Sequence, residues 1–279
     1  MTDNSNSSVA EAFFANLANN VAVMGILNVT PDSFSGDGVH ADIEKAVAQA
    51  QAMETEGCHI LDIGGESTRP GSDRVSEDEE RNRVMPVISA VAATLNIPIS
   101  IDTYKAKIAA EALRSGAHIV NDIWGLQHDP DMAATVAEAQ CGLVIMHNRK
   151  TADQTVDIIA EISAFFEKSL AIAESAGIPS HLIALDPGIG FGKTIQQNLV
   201  ILNRMETFHS FDRPLLIGLS RKRFIGEALG TQVEDRLIGT VAANLFAWSK
   251  GASILRVHDV ADHVKAIRML TTIRNESYG

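Results

Sequence analysis

The feature that most constrains the fold is a short apolar run, rich in Val, Ile and Leu, that recurs eight times along the chain. Stretches with the apolar spacing of amphipathic helices lie between consecutive runs. The runs span residues 21–27, 59–63, 97–102, 118–123, 142–147, 182–186, 214–220 and 252–258. Because the runs are largely unbroken by polar residues, we predict that they form parallel strands covered by helices.

Eight strand–helix units in a chain of 279 residues predict an α/β fold, a single (β/α)8 TIM barrel, rather than an open doubly wound sheet. The dinucleotide-binding alternative is weakened because no G-x-G-x-x-G motif follows the first run. No linker or low-complexity seam divides the chain, so we predict one catalytic domain over residues 10–279 and a disordered polar tail over residues 1–9. The active site is expected at the C-terminal ends of the strands.

Charge and composition narrow the possible partners. The net charge of −12 argues against a general nucleic-acid binder, and no apolar stretch approaches the ~20 residues that span a bilayer. The first 20 residues lack the apolar core of a signal peptide. Cys58 and Cys141 lie beside apolar runs and are expected to be buried thiols in a reducing compartment. We therefore expect a cytoplasmic protein that binds neither nucleic acid nor membrane.

Polar side chains lie at or near the C-terminal ends of most runs. Asp62, Asp102, Asn121 and Asp186 could each cap the helix that follows. Four such groups at matching ends of inward-facing strands favour a shared ligand instead, because buried carboxylates need partners to offset their desolvation. A ligand with several N–H donors, such as an aminopyrimidine ring, would provide those partners.

Basic residues lie at two further strand ends and in an early loop. ESTRPG places Arg69 after the second run, SRKRF occupies 220–224, and RVH brings Arg256 and His258 to the end of the eighth. Loops seven and eight form the usual phosphate site of this fold. A solvated basic face would explain SRKRF, but it explains Arg256 poorly because that residue interrupts a run that should be buried. We therefore predict an anion site, with pyrophosphate the favoured occupant.

Two further stretches bear on ligands. Asn28 could offer its carbonyl oxygen to Mg²⁺, which takes few protein ligands beside water and substrate phosphate, although a turn-forming Asn fits the spacing equally well. DPGIGFGK (186–193) fails the Walker A spacing, so its glycines are expected to let the backbone approach a flat ligand, with Phe191 beside it. The cysteines and histidines have no zinc-site spacing.

Seven motifs in order identify a family. ILNVTPDSFS, DIGGESTRPG, SIDTYK, VNDIWG, LDPGIGFGK, GLSRKRFIG and RVHD, from about Val21 to Asp259, resemble dihydropteroate synthase of the folate pathway. The resemblance implies a transferase that joins 4-aminobenzoate to 6-hydroxymethyl-7,8-dihydropterin diphosphate and releases pyrophosphate. It also implies a sulfonamide target. The first loop departs from the family pattern, because this chain reads Gly36-Asp37-Gly38 where the family usually has Asp-Gly-Gly.

The resemblance also implies residue roles, with Asp102, Lys222 and Arg256 as the catalytic residues. The implied pterin site consists of Asp102, Asn121, Met146, Asp186, Gly218, Lys222 and Arg256. The implied diphosphate site consists of Asn28, Arg69, Arg256 and His258, with Mg²⁺ held at Asn28. The implied aminobenzoate pocket consists of Thr68, Pro70, Phe191, Ser220 and Lys222.

Two rival functions share parts of this pattern. A pterin-binding barrel that transfers methyl groups to a corrinoid protein would keep the carboxylates, but it has no need of the basic residues 220–223, Arg256 and His258. A non-catalytic pterin binder is disfavoured because Asn28, Lys222 and Arg256 are all present. The family forms homodimers through late helices, and the apolar stretch 237–251 could serve, although a core-facing helix would look the same.

Overall fold

The computed structural model describes residues 5–18, 20–29, 39–66 and 74–276. Parallel strands close into a barrel in chain order, with the eighth pairing back onto the first. The strands are β1 (Ala22–Asn28), β2 (Ile60–Gly64), β3 (Ile99–Asp102), β4 (Ile119–Asp122), β5 (Gly142–Met146), β6 (Ile183–Asp186), β7 (Leu215–Ile217) and β8 (Ala252–Val257). Each predicted run contains one strand, so the prediction of a (β/α)8 barrel is confirmed.

Helices cover the outside of the barrel and one of its ends. The α-helices of the described segments are α1 (Ser5–Asn16), α2 (Val39–Thr55), α3 (Glu77–Ala92), α4 (Ala106–Arg114), α5 (Met132–Ala139), α6 (Ile158–Ser175), α7 (Ile195–Arg204), α8 (Arg223–Leu229), α9 (Leu237–Ser249) and α10 (Val260–Asn275). Side chains fix several starts: Ser76 caps α3, Asp157 caps α6, and Thr194 forms a capping box with Gln197 at α7. None of these helices is long and apolar enough to cross a membrane.

Helix α1 closes the amino-terminal end of the barrel. Its Ala10, Phe13, Phe14 and Leu17 are buried in one apolar cluster with the inward-facing residues at the start of the strands. These positions follow the three-to-four-residue spacing of one helix face, which gives the helix its packing surface. The helix begins at Ser5, so it starts within the stretch 1–9 that the sequence predicted as a disordered tail.

The larger apolar core lies between the strands and the surrounding helices. Phe166 of α6 is fully buried there and packs edge-to-face against Phe208, with ring centroids 5.7 Å apart. Cys58 and Cys141 are buried free cysteines, as predicted. Burial raises the pKa of Cys58 to about 11 and that of Cys141 to about 12, so both remain thiols at neutral pH.

Polar residues replace apolar ones in the barrel interior toward the carboxyl ends of the strands. Asp102 pairs in register with Gly64 on β2 and Asn121 on β4, and Met146 pairs with Asp186. Because paired residues on adjacent strands point to the same side of a sheet, this register places the polar side chains at one rim. The strand pairing thus gathers residues that are far apart in sequence.

Candidate active site

The deepest part of the rim is a buried charge network built from four strands. Arg256 on β8 donates from Nε to Asp62 Oδ2 at 2.6 Å and from a terminal nitrogen to Asp102 Oδ2 at 2.7 Å. Asn121 on β4 donates its side-chain amide to the same Asp62 oxygen at 3.2 Å. Arg256 therefore lies between two carboxylates, as a charge inside an apolar strand requires.

Burial and charge act in opposite directions within this network. Burial opposes the charge of Arg256, but the carboxylates of Asp62 and Asp102 outweigh it and raise the pKa of the guanidinium. Burial raises the pKa of Asp102 to about 7, against the attraction of Arg256 and with a further contribution from Asp62. Asp102 is therefore poised to lose its charge just below neutral pH.

Several oxygens in or next to this network have no partner among the described residues. Asp62 Oδ1, Asp102 Oδ1, Asn121 Oδ1 and the hydroxyl of Ser100 are buried and make no hydrogen bond to the described residues. A buried acceptor without a donor costs about 1–3 kcal/mol, so such groups are rarely left together without a purpose. Their arrangement suits a small, flat molecule that carries several N–H donors.

A second group of side chains lies beside the network. Lys222 precedes α8, and its Nζ donates to the carbonyl of Ile189 and lies 4.4 Å from the centroid of the Phe191 ring. Burial lowers the pKa of Lys222 to about 8, against the attraction of Asp186 and Asp102. Lys222, Asp186 and Asp102 are thus close enough for the charge of the lysine and those of the carboxylates to shift one another's pKa.

Asp186 and Gly218 connect the two groups. Burial raises the pKa of Asp186, although Lys222 and the 2.7 Å hydrogen bond from the Gly188 amide oppose the shift. A methyl group added at Gly218 would lie 3.8 Å from both Arg256 Cδ and Asp186 Oδ2. The three predicted catalytic residues and the strand carboxylates consequently line one continuous rim.

The basic run 220–223 does not act as a single surface. Arg221 adopts a positive φ of 57° and turns outward to pair with Asp259. Arg223 is largely exposed and pairs with Glu227 on the same helix. Lys222 is half-buried, lies against Phe191 and is influenced by the charges of Asp186 and Asp102, so the solvated-face alternative holds for the two arginines and fails for the lysine.

Ser220 and His258 form a separate contact at the same rim. The Ser220 hydroxyl accepts the backbone N–H of His258 at 3.2 Å and lies 3.0 Å from the ring Nδ1. This pair joins the end of β7 to the end of β8, the two strands whose loops usually bind phosphate in this fold. The predicted diphosphate and aminobenzoate groups are therefore neighbours here.

The apolar wall of the site is small. Met146 at the end of β5 is buried with Tyr104 and Ile123, and Trp124 and Phe191 pack against this group. Such a wall offers a flat contact surface next to polar groups, as small-molecule sites usually do.

The remaining residues at strand ends either lie at the rim outside the charge network, shape a turn, or fall outside the described segments. Asn28 is half-buried at the end of β1, and its side chain finds no hydrogen-bond partner in the described part of the chain. Asp122 binds the amides of Trp124 and Leu126 and so shapes a turn. Thr68, Arg69, Pro70 and the loop 36–38 lie outside the described residues.

Two cations that the sequence analysis did not assign bind the backbone of the loop between β6 and α7: Lys193 from within that loop, and Arg149 from the loop between β5 and α6. Lys193 is buried and lies 2.9 Å from the ring Nδ1 of His147. Arg149 donates to Gly192 O at 2.5 Å and pairs with Glu161 at 2.7 Å. A lysine closing a glycine-rich loop was a usable signal for Lys193, whereas nothing in the sequence around Arg149 indicated its partners.

The site therefore combines buried acceptors with cations that lie beside them. The acceptors can bind and stabilise a donor-rich ring, and Lys222 and Arg256 can neutralise an anion that forms beside it. No cluster of three or more His, Cys, Asp or Glu residues that could hold a metal ion occurs in the described segments.

Comparison with known proteins shows extensive similarity. The profile of the family described as "Pterin binding enzyme" matches residues 24–258. The dihydropteroate synthase of Bacillus subtilis (strain 168) is 47% identical over 254 residues, which cover 91% of this chain and 89% of that protein.

Solved structures agree with the sequence comparison. A dihydropteroate synthase from Clostridium difficile, crystallised in the presence of pteroic acid, superposes with a TM-score of 0.89 at 44% identity, covering 91% of this chain and 97% of that one. The Xanthomonas albilineans dihydropteroate synthase with 4-aminobenzoic acid gives a TM-score of 0.88 at 42% identity, covering 92% and 94%.

Proposed function

This chain belongs to the pterin binding enzymes, and within them to the dihydropteroate synthases, and on that premise we propose how its rim divides the work of the reaction. The enzyme is a transferase that joins 4-aminobenzoate to 6-hydroxymethyl-7,8-dihydropterin diphosphate. The nitrogen of the aminobenzoate bonds to the pterin methylene carbon, the bond from that carbon to the diphosphate oxygen breaks, and a proton leaves the nitrogen. The products are 7,8-dihydropteroate and pyrophosphate.

The observation that carries the assignment is the group of unpaired oxygens at the bottom of the site. Asp62, Asp102 and Asn121 each keep one buried side-chain oxygen without a partner among the described residues. A pterin carries an amino group and ring N–H donors along one edge. We place that edge against these oxygens, with Asp186 beside it, because each bond formed there removes a desolvation cost already present in the free protein.

Arg256 and Lys222 are proposed to act on the other side of the same ring. An aniline nitrogen is a weak nucleophile at neutral pH, so the enzyme gains most by stabilising the leaving group. Arg256 would lie over the ring and help neutralise the departing diphosphate, with His258 nearby. The carboxylates of Asp102 and Asp186 would stabilise positive charge that develops on the pterin methylene.

Mg²⁺ is the proposed cofactor, held by Asn28 and by the substrate diphosphate. Asn28 has a side-chain oxygen at the strand end and no partner for it in the described segments, which fits an ion that takes few protein ligands. When bound, the ion would neutralise charge on the diphosphate. Arg69 is proposed to assist from its loop.

The aminobenzoate pocket is proposed at Phe191, Ser220 and Lys222, with Thr68 and Pro70 completing it. The Lys222 ammonium above the Phe191 ring offers a cation for the benzoate carboxylate and an apolar face for its ring. Sulfonamides have a similar shape and should compete for this pocket.

The decisive experiment is a turnover assay with both substrates and Mg²⁺. We expect pyrophosphate and dihydropteroate in equal amounts, inhibition by a sulfonamide that is competitive with aminobenzoate, and loss of turnover with a chelator. Release of no pyrophosphate would refute the synthase assignment and leave methyl transfer or simple pterin binding as the alternatives.

We also propose that two copies associate through α9 and the helices near it. Ile238 on α9 is 84% exposed, and Leu229, Phe246, Met269 and Ile273 are exposed apolar residues on α8, α9 and α10. Large exposed apolar residues in neighbouring elements are typical of interfaces. Replacing Ile238 with Glu should convert dimer to monomer in analytical ultracentrifugation, and a wild-type monomer would contradict the proposal.

The proposed compartment is the cytoplasm. Cys58 and Cys141 are free thiols, which fits a reducing environment. Fractionation of cells that produce the protein would test this placement.

A further inference from the structure

Lys193 is part of the loop between β6 and α7, and its side chain binds backbone carbonyls of that same loop. Its Nζ donates to the carbonyl oxygen of Gly188 at 2.7 Å and to that of Phe191 at 3.1 Å. It also lies 2.9 Å from the ring Nδ1 of His147 and 3.4 Å from the carbonyl of that residue. All three ammonium hydrogens therefore have acceptors, and the residue is buried.

Other cations bind the remaining parts of the same loop. Lys222 donates to the carbonyl of Ile189, and Arg149 donates from Nε to the carbonyl of Gly192 at 2.5 Å. Of the five consecutive carbonyls in residues 188–192, four are thus bound by cationic side chains. A loop held in this way has little freedom to rearrange when a ligand arrives.

The glycines of the loop allow this close packing. Gly188 has a φ of 68°, and a Cβ there would lie 1.9 Å from the carbonyl oxygen of His147. Gly192 has a φ of 57°, and a Cβ there would lie 2.2 Å from the carbonyl oxygen of Arg149. Because both contacts are with backbone atoms, no side chain can be accommodated at either position.

His147 lies next to Lys193, on the inner side of the loop, as a neutral ring. Burial, assisted by the nearby charges of Lys193 and Arg149, lowers the pKa of His147 to about 2. Its Nδ1 accepts from Lys193, which leaves the ring hydrogen on Nε2, 3.5 Å from Glu161. The histidine acts as an acceptor that orients the lysine.

We propose that Lys193 is a positioning residue for the second substrate, holding the Phe191 ring in place beneath the Lys222 ammonium. The proposal rests on the function proposed above, which assigns Phe191 and Lys222 to the aminobenzoate pocket. Phe191 and Lys222 are 4.4 Å apart, measured from ring centroid to Nζ. The carbonyl of Phe191 accepts from Lys193, and its amide donates to the Gly188 carbonyl at 3.1 Å, which Lys193 also binds, so the lysine holds both ends of the turn that carries the ring.

This arrangement has a specific consequence for substrate binding. If the Phe191 backbone is free, the ring samples other positions and the pocket must be ordered when aminobenzoate binds, which weakens that binding. The pterin edge contacts strands rather than this loop, so pterin binding should be affected less. A residue that only supported folding would instead lower the amount of active enzyme without changing one Michaelis constant.

The test is Lys193→Met, which keeps the side-chain length and removes the N–H donors. We expect KM for aminobenzoate to rise about tenfold and KM for the pterin diphosphate to stay within about twofold, because only the loop loses its hydrogen bonds. Arg81→Met is the control, since it removes a part-buried arginine paired with Glu111 on the outer helices. An unchanged KM for aminobenzoate, or equal rises for both substrates, would overturn the proposal.

A double-mutant cycle with Phe191→Ala separates positioning from any other effect of the lysine. If Lys193 acts through Phe191, the rise in KM caused by Lys193→Met should shrink to within about twofold in the Phe191→Ala background. An equal rise in both backgrounds would show that the lysine acts by another route and would overturn the proposal.

Arg149→Met supplies a second variant if Lys193→Met does not fold. It removes the bond to the Gly192 carbonyl, together with those to Glu161 and Gln197, and leaves the lysine in place. We expect a rise of about threefold in KM for aminobenzoate alone. If this variant folds and its KM for aminobenzoate does not rise, the proposal that these cations position the loop for aminobenzoate is contradicted. Failure of the wild-type assay to release pyrophosphate would instead refute the proposed function, so the two failures are distinguishable.

Discussion

At the amino-terminal end of the barrel interior, Phe13 and Phe14 of α1 fill the space between the strands with aromatic rings. At the carboxyl-terminal end, the same strands present Asp62, Asp102 and Arg256 to one another. The amino-terminal end is closed by α1, and its buried groups are apolar and require no ligand. The carboxyl-terminal end contains buried oxygens that lack donors among the described residues.

This difference shows how one set of strands serves stability and chemistry separately. Every methylene buried at the apolar end stabilises the folded protein. Charges at the polar end cost free energy until a ligand binds, which is the usual relation between an active site and its scaffold. Mutations at the apolar end should therefore lower the free energy of unfolding, whereas mutations at the polar end should mainly lower turnover.

The largest effect on turnover is expected from Arg256→Met. Removing the guanidinium should lower turnover by about 10³-fold, because a charge aimed at the leaving group is lost. It should also lower the free energy of unfolding by about 3–5 kcal/mol, since two buried carboxylates lose their partner. Turnover assays and urea unfolding measure the two effects. Arg221→Met is the control, because Arg221 pairs with Asp259 on the outside.

Turnover of Arg256→Met within about tenfold of the wild type would contradict the proposed role of the polar end in catalysis. Such a loss is smaller than one well-placed donor contributes. The outward-facing control variant should stay within about threefold, because partly exposed ion pairs contribute little.

The opposite signature is expected from Phe14→Ala at the closed end. Phe14 is 6% exposed, and truncating a buried Phe costs about 3–5 kcal/mol of unfolding free energy. The Michaelis constants and the turnover of the folded protein should not change. Denaturant unfolding and steady-state kinetics at low temperature measure both. A changed KM would show that the two ends are coupled.

A smaller effect is expected from pH on stability. Burial raises the pKa of Asp102 from 3.8 to about 7, so the folded protein holds this proton more tightly than the unfolded chain. As pH rises from about 4 to about 7, the unfolded state loses the proton first, and the contribution of Asp102 to the unfolding free energy falls. Above about pH 8 this contribution should be constant.

Asp102→Asn should remove that part of the slope, and urea unfolding of both proteins between pH 4 and pH 8 isolates it, where ~1.4 kcal/mol corresponds to one unit of pKa. Phe14→Ala provides the contrast, because its cost should be the same at every pH. Parallel curves for the wild type and Asp102→Asn would contradict the raised pKa.

The smallest effect is expected from Ser100→Ala, at the border between the two ends. The Ser100 hydroxyl is fully buried and has no partner in the described segments. Removing it should change the unfolding free energy by about 1 kcal/mol or less, with stabilisation the expected direction. Pterin affinity, measured by calorimetry, should stay within about twofold. A loss of about tenfold would extend the polar end one layer deeper.

The barrel itself could be predicted from the sequence because each strand is a short, largely unbroken apolar run and stretches with helical spacing separate the runs. The charge of Arg256 inside such a run led to the prediction of an anion site, and the structure adds two carboxylates, Asp62 and Asp102, that flank the guanidinium. The closing helix was missed, although Ala10, Phe13, Phe14 and Leu17 have helical spacing. The Asn and Ser residues around that face have low helix propensity, so the local sequence does not favour a helix there.

Other features could not be predicted because they depend on side-chain direction. SRKRF reads as one basic patch, yet the positive φ of Arg221 sends its side chain outward while Lys222 turns inward. The acceptors of Lys193 are mostly backbone carbonyls, which have no sequence signature. Contacts of this kind become visible only when the chain path is known.

Helix α1 also bears on how the protein is made. It is the first helix along the chain, yet it packs against β5 and the short turn Ser180–Leu182, which emerge from the ribosome only after about half of the protein has been synthesised. Part of its apolar face therefore stays uncovered until about half of the chain has been synthesised. Docking of this early helix onto later strands makes α1 one of the last parts to reach its final environment, and such contacts between residues far apart in sequence are slow to form.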